Sequence, residues 1–174
     1  MKIGVAILAL LFSFMAAGQP VSTADTAVVN AIKAETARIY EAGSSPAFYL
    51  TGRQLQPYNS SGLSLIVYRN DDTVTRVIST CFTRQGQLST EYYFSNQKII
   101  FIYQAFEYFD THSAKGRWTN FKGLRGWECR LYYSGEQLVH HEQNGLSYKD
   151  ITAKAGKNKA GAYKIIQYLA AGRT

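Results

Sequence analysis

The chain has 174 residues, a formal charge of +7 and 46% hydrophobic residues, among them 13 Tyr and 9 Phe, with only 3 Pro and 2 Cys. That is enough chain for one domain to bury a core without disulfide staples. Beyond the N-terminus no apolar stretch reaches bilayer-spanning length, which excludes a multi-span helical membrane protein.

The N-terminus has the pattern of a signal peptide. Lys2 supplies a positive n-region, Ile3 to Phe14 a short apolar run, and Ala16, Ala17 and Gly18 small residues where a signal peptidase cuts. Residues 1–18 are therefore expected to be a leader, with the mature chain starting near Gln19 and the protein exported, periplasmic or secreted. A membrane anchor or a buried helix is the competing reading of this run. No Cys follows it to carry a lipid, and losing Lys2 with the leader takes the charge from +7 to +6.

Next, Val28, Val29, Ile32, Ile39 and Tyr40 recur at helical spacing and predict a helix over 26–42, with Ser22, Thr23 or Asp25 as cap and Gly43 to Pro46 as its stop. Turn signals then follow at short intervals: Asn70-Asp71-Asp72, Gln85-Gly86, Ser95-Asn96 and Ser134-Gly135 each separate two runs rich in β-branched and aromatic residues. They predict strands over 63–69, 74–83, 88–95, 98–108, 127–134 and 137–143. Residues 110–126 have no clean period and read as a long loop. A second amphipathic helix is expected over 158–171, with Gly156 arguing against an earlier start. The fold class is thus α+β: an antiparallel β-meander of about six strands with N- and C-terminal helices packed on one face, in a single domain over 19–174.

The hairpins echo one another. At an offset of 39, Tyr93, Ser95 and Gln104 recur as Tyr132, Ser134 and Gln143, and Phe94, Ile99 and Ile100 meet Tyr133, Leu138 and Val139. The run at 49–55 resembles that at 132–138. The stretches 92–101 and 131–139 resemble the YYFDNGKLI-like hairpins of exported Bacteroidota-type β-meander proteins of unknown function, which are loosely similar to MORN-type repeats. This resemblance covers residues 64–143 and implies a meander and an envelope location, but no catalytic residue. The chain departs from that pattern at Ser95, in place of the acidic residue, and at Gln97, in place of the turn glycine, which puts a tight primed turn at 96–97 in doubt.

Turn geometry assigns faces. Two-residue loops would pair Phe94 with Ile99, Tyr92 with Phe101, Tyr133 with Leu138, Leu131 with His140, Thr83 with Leu88 and Cys81 with Thr90. One face, the expected core, then carries Val77, Cys81, Leu88, Tyr92, Phe94, Ile99, Phe101, Trp127, Leu131, Tyr133 and Leu138. The other carries Ile78, Phe82, Tyr93, Ile100, Ile102, Tyr132 and Val139 among Arg76, Glu91, Gln104, Glu128, Arg130 and His141. That second face is more apolar than water requires: it is either covered, by the 110–126 loop or a second core layer, or exposed as a recognition surface. Cys81 and Cys129 sit on the second and fifth of these strands, roughly 14 Å apart by strand spacing, so no bridge is expected.

Catalytic signatures are missing from the chain: no Gly-x-Ser-x-Gly elbow, no phosphate-cradling glycine loop and no His-Glu-x-x-His helix. His140 and His141 are neighbours on a strand and point to opposite faces, so they cannot share a metal; His140 reads as a core residue, His141 and His112 as solvated. No catalytic residue, metal or cofactor is assigned. The candidate binding residues are Tyr93, Tyr132 and Arg130 on the aromatic face, and Arg117, Trp118, Phe121 and Lys122 in the basic aromatic loop. Basic side chains cluster there and again at Lys149, Lys154, Lys157, Lys159 and Lys164, either as an ordinary solvated surface or as an attractant for anions. Export argues against nucleic acid, leaving an envelope protein or an anionic glycan as partner. A non-catalytic binding or protein-interaction module is expected; a hydrolase or isomerase assembled from scattered His, Glu and Tyr, or an inhibitor of an envelope or foreign enzyme, are the alternatives.

Overall fold

A computed structural model of the protein describes residues 23–43, 46–51, 55, 62–109, 124–135, 137–145 and 151–170. Residues 1–18, expected to be a leader, and residues 110–123, His112 among them, expected to be a loop, lie outside them. Helix α1 spans Thr23–Ala42, and α2 spans Ile151–Ala170. Between them run β1 (Phe48–Thr51), β2 (Leu63–Asn70), β3 (Thr73–Phe82), β4 (Gly86–Ser95), β5 (Lys98–Tyr108), β6 (Leu124–Ser134) and β7 (Gln137–Asn144). All seven form one antiparallel sheet in sequential order. The α+β meander with a helix at each end is the expected fold, with one strand more than six. The added strand, β1, begins the run that echoes the later hairpins; at four residues it is too short to show alternation, and Leu50 is its one buried side chain. Residues 124–126, expected in the loop, begin β6 instead.

The β4–β5 turn is tight despite its departures from the hairpin pattern. Asn96 and Gln97 both take positive φ, 51° and 62°, as a primed two-residue turn demands. Phe94 faces Ile99, and in the next hairpin Tyr133 faces Leu138, as expected. A bulge then intervenes in each. Ile100 is the extra residue in β5 and Val139 in β7, so Tyr92 faces Ile102 and Leu131 faces His141, where Phe101 and His140 were expected. The two bulges lie 39 residues apart, so the hairpins share an irregularity as well as a sequence echo. At the β3–β4 turn the Thr83 N–H donates to the Gly86 carbonyl across Arg84 and Gln85, and Cys81 faces Leu88. This register is two residues from the expected one, so the faces are unchanged.

The bulges alter which side chains share a face, and two layers of core result. Val67, Val77, Tyr92, Phe94, Ile99, Ile102, Leu131 and Tyr133 form the larger core with Ala155, Ala162, Tyr168 and Leu169 of α2. On the opposite face Tyr93, Phe101 and Tyr132 pack against Val29, Ile32 and Ile39 of α1. The helices therefore take opposite faces rather than sharing one. Two apolar sheet faces each need a cover, and the second is aromatic enough to require its own. Phe101 belongs to the α1 side, while Ile102 and Gln104 belong to the α2 side, where Gln104 Nε2 donates to Thr90 Oγ1 at 3.0 Å. His140 lies on the α1 side, its ring 5.4 Å from that of Tyr132.

Cys81 and Cys129 are both free, and β4 and β5 separate their strands. Among the described residues no helix is long and apolar enough to cross a membrane. Helix α2 starts at Ile151 and runs through Gly156, where an added methyl group would meet nothing within 4 Å. Gly156→Ala is expected to stabilise the fold by about 0.5–1 kcal/mol, read as a rise of roughly 1–4 °C in Tm.

Candidate functional site

Register places three rings in a row under α1. Tyr93 on β4 faces Phe101 on β5, which faces Tyr132 on β6, with ring centroids 5.6 and 4.9 Å apart. The row exists because the Ile100 bulge turns Phe101 towards α1. Above it, the buried residues of α1 are Val29, Ile32 and Ile39, a stripe whose remaining heptad position is Thr36. A threonine there, next to Ala37, is too small to reach the rings. A cleft of about 440 Å³ remains, open to solvent, with Tyr93, Phe101 and Tyr132 as its floor and Lys33, Thr36, Ala37, Tyr40 and Glu41 as its helical wall. Thr36 Oγ1 is buried and has no hydrogen-bond partner among the described residues.

Arg130 and Glu142 close one end of the cleft. Glu142 Oε1 accepts from Lys33 Nζ at 3.1 Å and from the Tyr132 hydroxyl at 3.2 Å, and Arg130 Nη1 lies 3.9 Å from Oε2. Arg130 Nη1 also donates to Glu128 Oε1 at 2.9 Å, while Glu128 Oε2 accepts from the Tyr103 hydroxyl at 3.0 Å. Partial burial works against the charge on Glu142, but the Lys33 hydrogen bond and charge, the Tyr132 hydroxyl and Arg130 outweigh it and hold its carboxyl below the ordinary value. Burial, followed by the Glu142 charge, pushes the Tyr132 phenol up to about 12. Burial, then Glu91, raises Tyr93 further. Near neutral pH both phenols stay protonated and donate to carboxylates, so neither serves as a base. The cleft thus offers fixed apolar area, charged donors and carboxylate acceptors, the materials of recognition.

Tyr93, Tyr132 and Arg130 come together at this cleft. Arg117, Trp118, Phe121 and Lys122 lie outside the described residues. Lys33, Thr36, Phe101 and Glu142 were not legible as site residues, although the polar interruption at 36 in the 29/32/39 stripe marks the place in the sequence. Among the described residues no three His, Cys, Asp or Glu side chains could hold a metal ion. Beneath α2, burial raises the Cys129 thiol above its ordinary value despite Lys154 and Arg130 nearby. Compared with protein-family models, with curated proteins and with solved structures, the chain matches none.

Proposed function

We propose that this is an exported, non-catalytic binding module of the bacterial envelope whose ligand site is the cleft between α1 and the sheet. The observation that carries the binding reading is the solvent-open cleft of about 440 Å³ over three contiguous aromatic rings. Its volume falls within the range of about 300–1,000 Å³ usual for small-molecule sites. The largely buried Tyr93, Phe101 and Tyr132 rings give the cleft a rigid apolar floor, and Lys33, Arg130 and Glu142 supply oriented polar contacts at the rim. Export rests on the Lys2 to Gly18 pattern. An anionic glycan or an envelope protein remains the partner class suggested by the basic aromatic segment, with Arg117, Trp118, Phe121 and Lys122 as its contacts.

A thermal-shift screen of the purified protein against neutral, anionic and zwitterionic small molecules tests this reading, with Ala37→Phe as the blocking variant. Ala37 is exposed at the cleft wall, so a phenylalanine there obstructs the cleft without entering either core. Bound ligands are expected to lose at least about tenfold in affinity, about 1.4 kcal/mol, while Tm changes little. Trp118→Ala is expected to leave binding of cleft ligands unchanged and to weaken only a glycan or protein partner held by the basic segment. The reverse result, with Trp118→Ala abolishing binding and Ala37→Phe preserving it, would move the site to the basic segment.

A further inference from the structure

On the sheet face opposite the cleft, a slot of about 180 Å³ lies between α2 and β2. Its lining is apolar: Leu55, Leu65 and Tyr168 are buried, and Leu63 and Ile165 are half-buried along it. Gly161, in the interior of α2, also lines it. A glycine inside a helix costs stability relative to alanine. Close packing does not require it here, since an added methyl group would meet only the Tyr92 hydroxyl, at 3.9 Å. The glycine therefore keeps space open in the slot while weakening the helix.

The slot and its surroundings constrain what fills that space. Its volume is below the range of about 300–1,000 Å³ usual for drug-sized ligands, so it suits a narrow apolar chain rather than a ring system. Lys164 is exposed and is the one charged residue of the described lining. It belongs to a helix with four lysines, Lys154, Lys157, Lys159 and Lys164, and no Asp or Glu. An anionic head group beside α2 meets only cations on that helix, whereas the α1 cleft mixes lysine and arginine with two glutamates.

We propose that this slot is a second binding site, for the acyl chain of a medium-chain fatty acid, with the chain along Leu63, Gly161 and Ile165 and the carboxylate at Lys164. Buried methylenes supply most of the affinity, and the exposed lysine selects the charge of the head group. The site is independent of the cleft, whose polar ligands are not expected in it.

The test is an NMR titration of the full-length protein with butanoate, hexanoate, octanoate and decanoate. Amides around Leu63, Gly161 and Lys164 are expected to shift, and affinity to rise about fourfold per added methylene until the slot is full. Gly161→Ala should raise the Tm of the free protein yet weaken octanoate about fourfold, the equivalent of one displaced methylene, and Gly161→Leu should abolish binding. Octyl glucoside and octylammonium should bind more weakly than octanoate, and Lys164→Glu should remove that preference. No dependence on chain length, or undiminished octanoate binding in folded Gly161→Ala and Gly161→Leu, would overturn the slot. Equal binding of all three octyl compounds would overturn the fatty acid as ligand. Binding to phosphatidylglycerol vesicles alone, without the free acids, would make α2 a membrane-surface helix and overturn the proposal.

Discussion

Phe94→Ala is expected to destabilise the protein by about 3–5 kcal/mol, the usual cost of emptying an aromatic site in a packed core, and to lower Tm by roughly 10–15 °C. Phe94 is 2% exposed, faces Ile99 beside the Asn96–Gln97 turn and packs in the core that α2 completes. Its removal leaves a cavity bounded by paired strands on one side and a helix on the other, neither of which can collapse freely. Phe82 has the same strand chemistry in sequence, but it is 47% exposed near the end of β3. Phe82→Ala is expected to cost less than about 1 kcal/mol. Urea denaturation measures the pair: the Phe94 variant should shift the midpoint with little change in slope. Similar losses at the two positions would contradict the assignment of faces.

The second large effect concerns a buried charge. The Arg76 side chain is 8% exposed, and its Nη2 and Nε donate to Glu91 Oε2 at 2.6 and 3.1 Å. The same carboxylate oxygen accepts from the Tyr93 hydroxyl at 2.8 Å. Three tyrosine rings surround the guanidinium, Tyr40 at 4.7 Å, Tyr68 at 5.0 Å and Tyr93 at 5.3 Å. A guanidinium stays charged, so Glu91→Ala leaves a permanent cation among rings, and a loss of about 3 kcal/mol is expected. Arg76→Leu should cost less, about 2 kcal/mol, because Glu91 retains the Tyr93 hydroxyl and some access to water. The double variant Arg76→Leu, Glu91→Leu should recover much of the loss, since neither charge remains unpaired. A double-mutant cycle in urea checks it; purely additive losses would show that the pair is not coupled.

The fold was legible where turn chemistry and alternation agree. Asn70 to Asp72, Ser95-Asn96 and Ser134-Gly135 mark three hairpin turns, and the near-turn pairs Phe94 with Ile99 and Tyr133 with Leu138 follow from them. What was hidden lies beyond the bulges. One extra residue, Ile100 or Val139, inverts everything after it, and nothing in a run such as Ile99-Ile100-Phe101-Ile102 distinguishes an inserted residue from a paired one. Phe101 and His140 therefore changed sides, and the aromatic face became a second core with its own helix. Tyr93, Tyr132 and Arg130 were legible as candidates because the parity set by the turns at Asn96-Gln97 and Gly135 puts them on one face, of β4 and β6 on either side of β5. Lys33, Thr36 and Glu142 were not, because their meeting depends on where α1 crosses the sheet. That placement is a tertiary fact with only a faint trace in sequence, the polar residue at 36.

The central claim is that the cleft under α1 is the site of recognition, and its most direct test is to locate a bound small molecule by amide chemical-shift mapping. A ligand from the thermal-shift screen is expected to perturb residues 33–41 of α1 together with the amides of Tyr93, Phe101, Arg130 and Tyr132, leaving α2 unchanged. Perturbations confined to α2 and the opposite sheet face, or to the segment around Trp118, would contradict it.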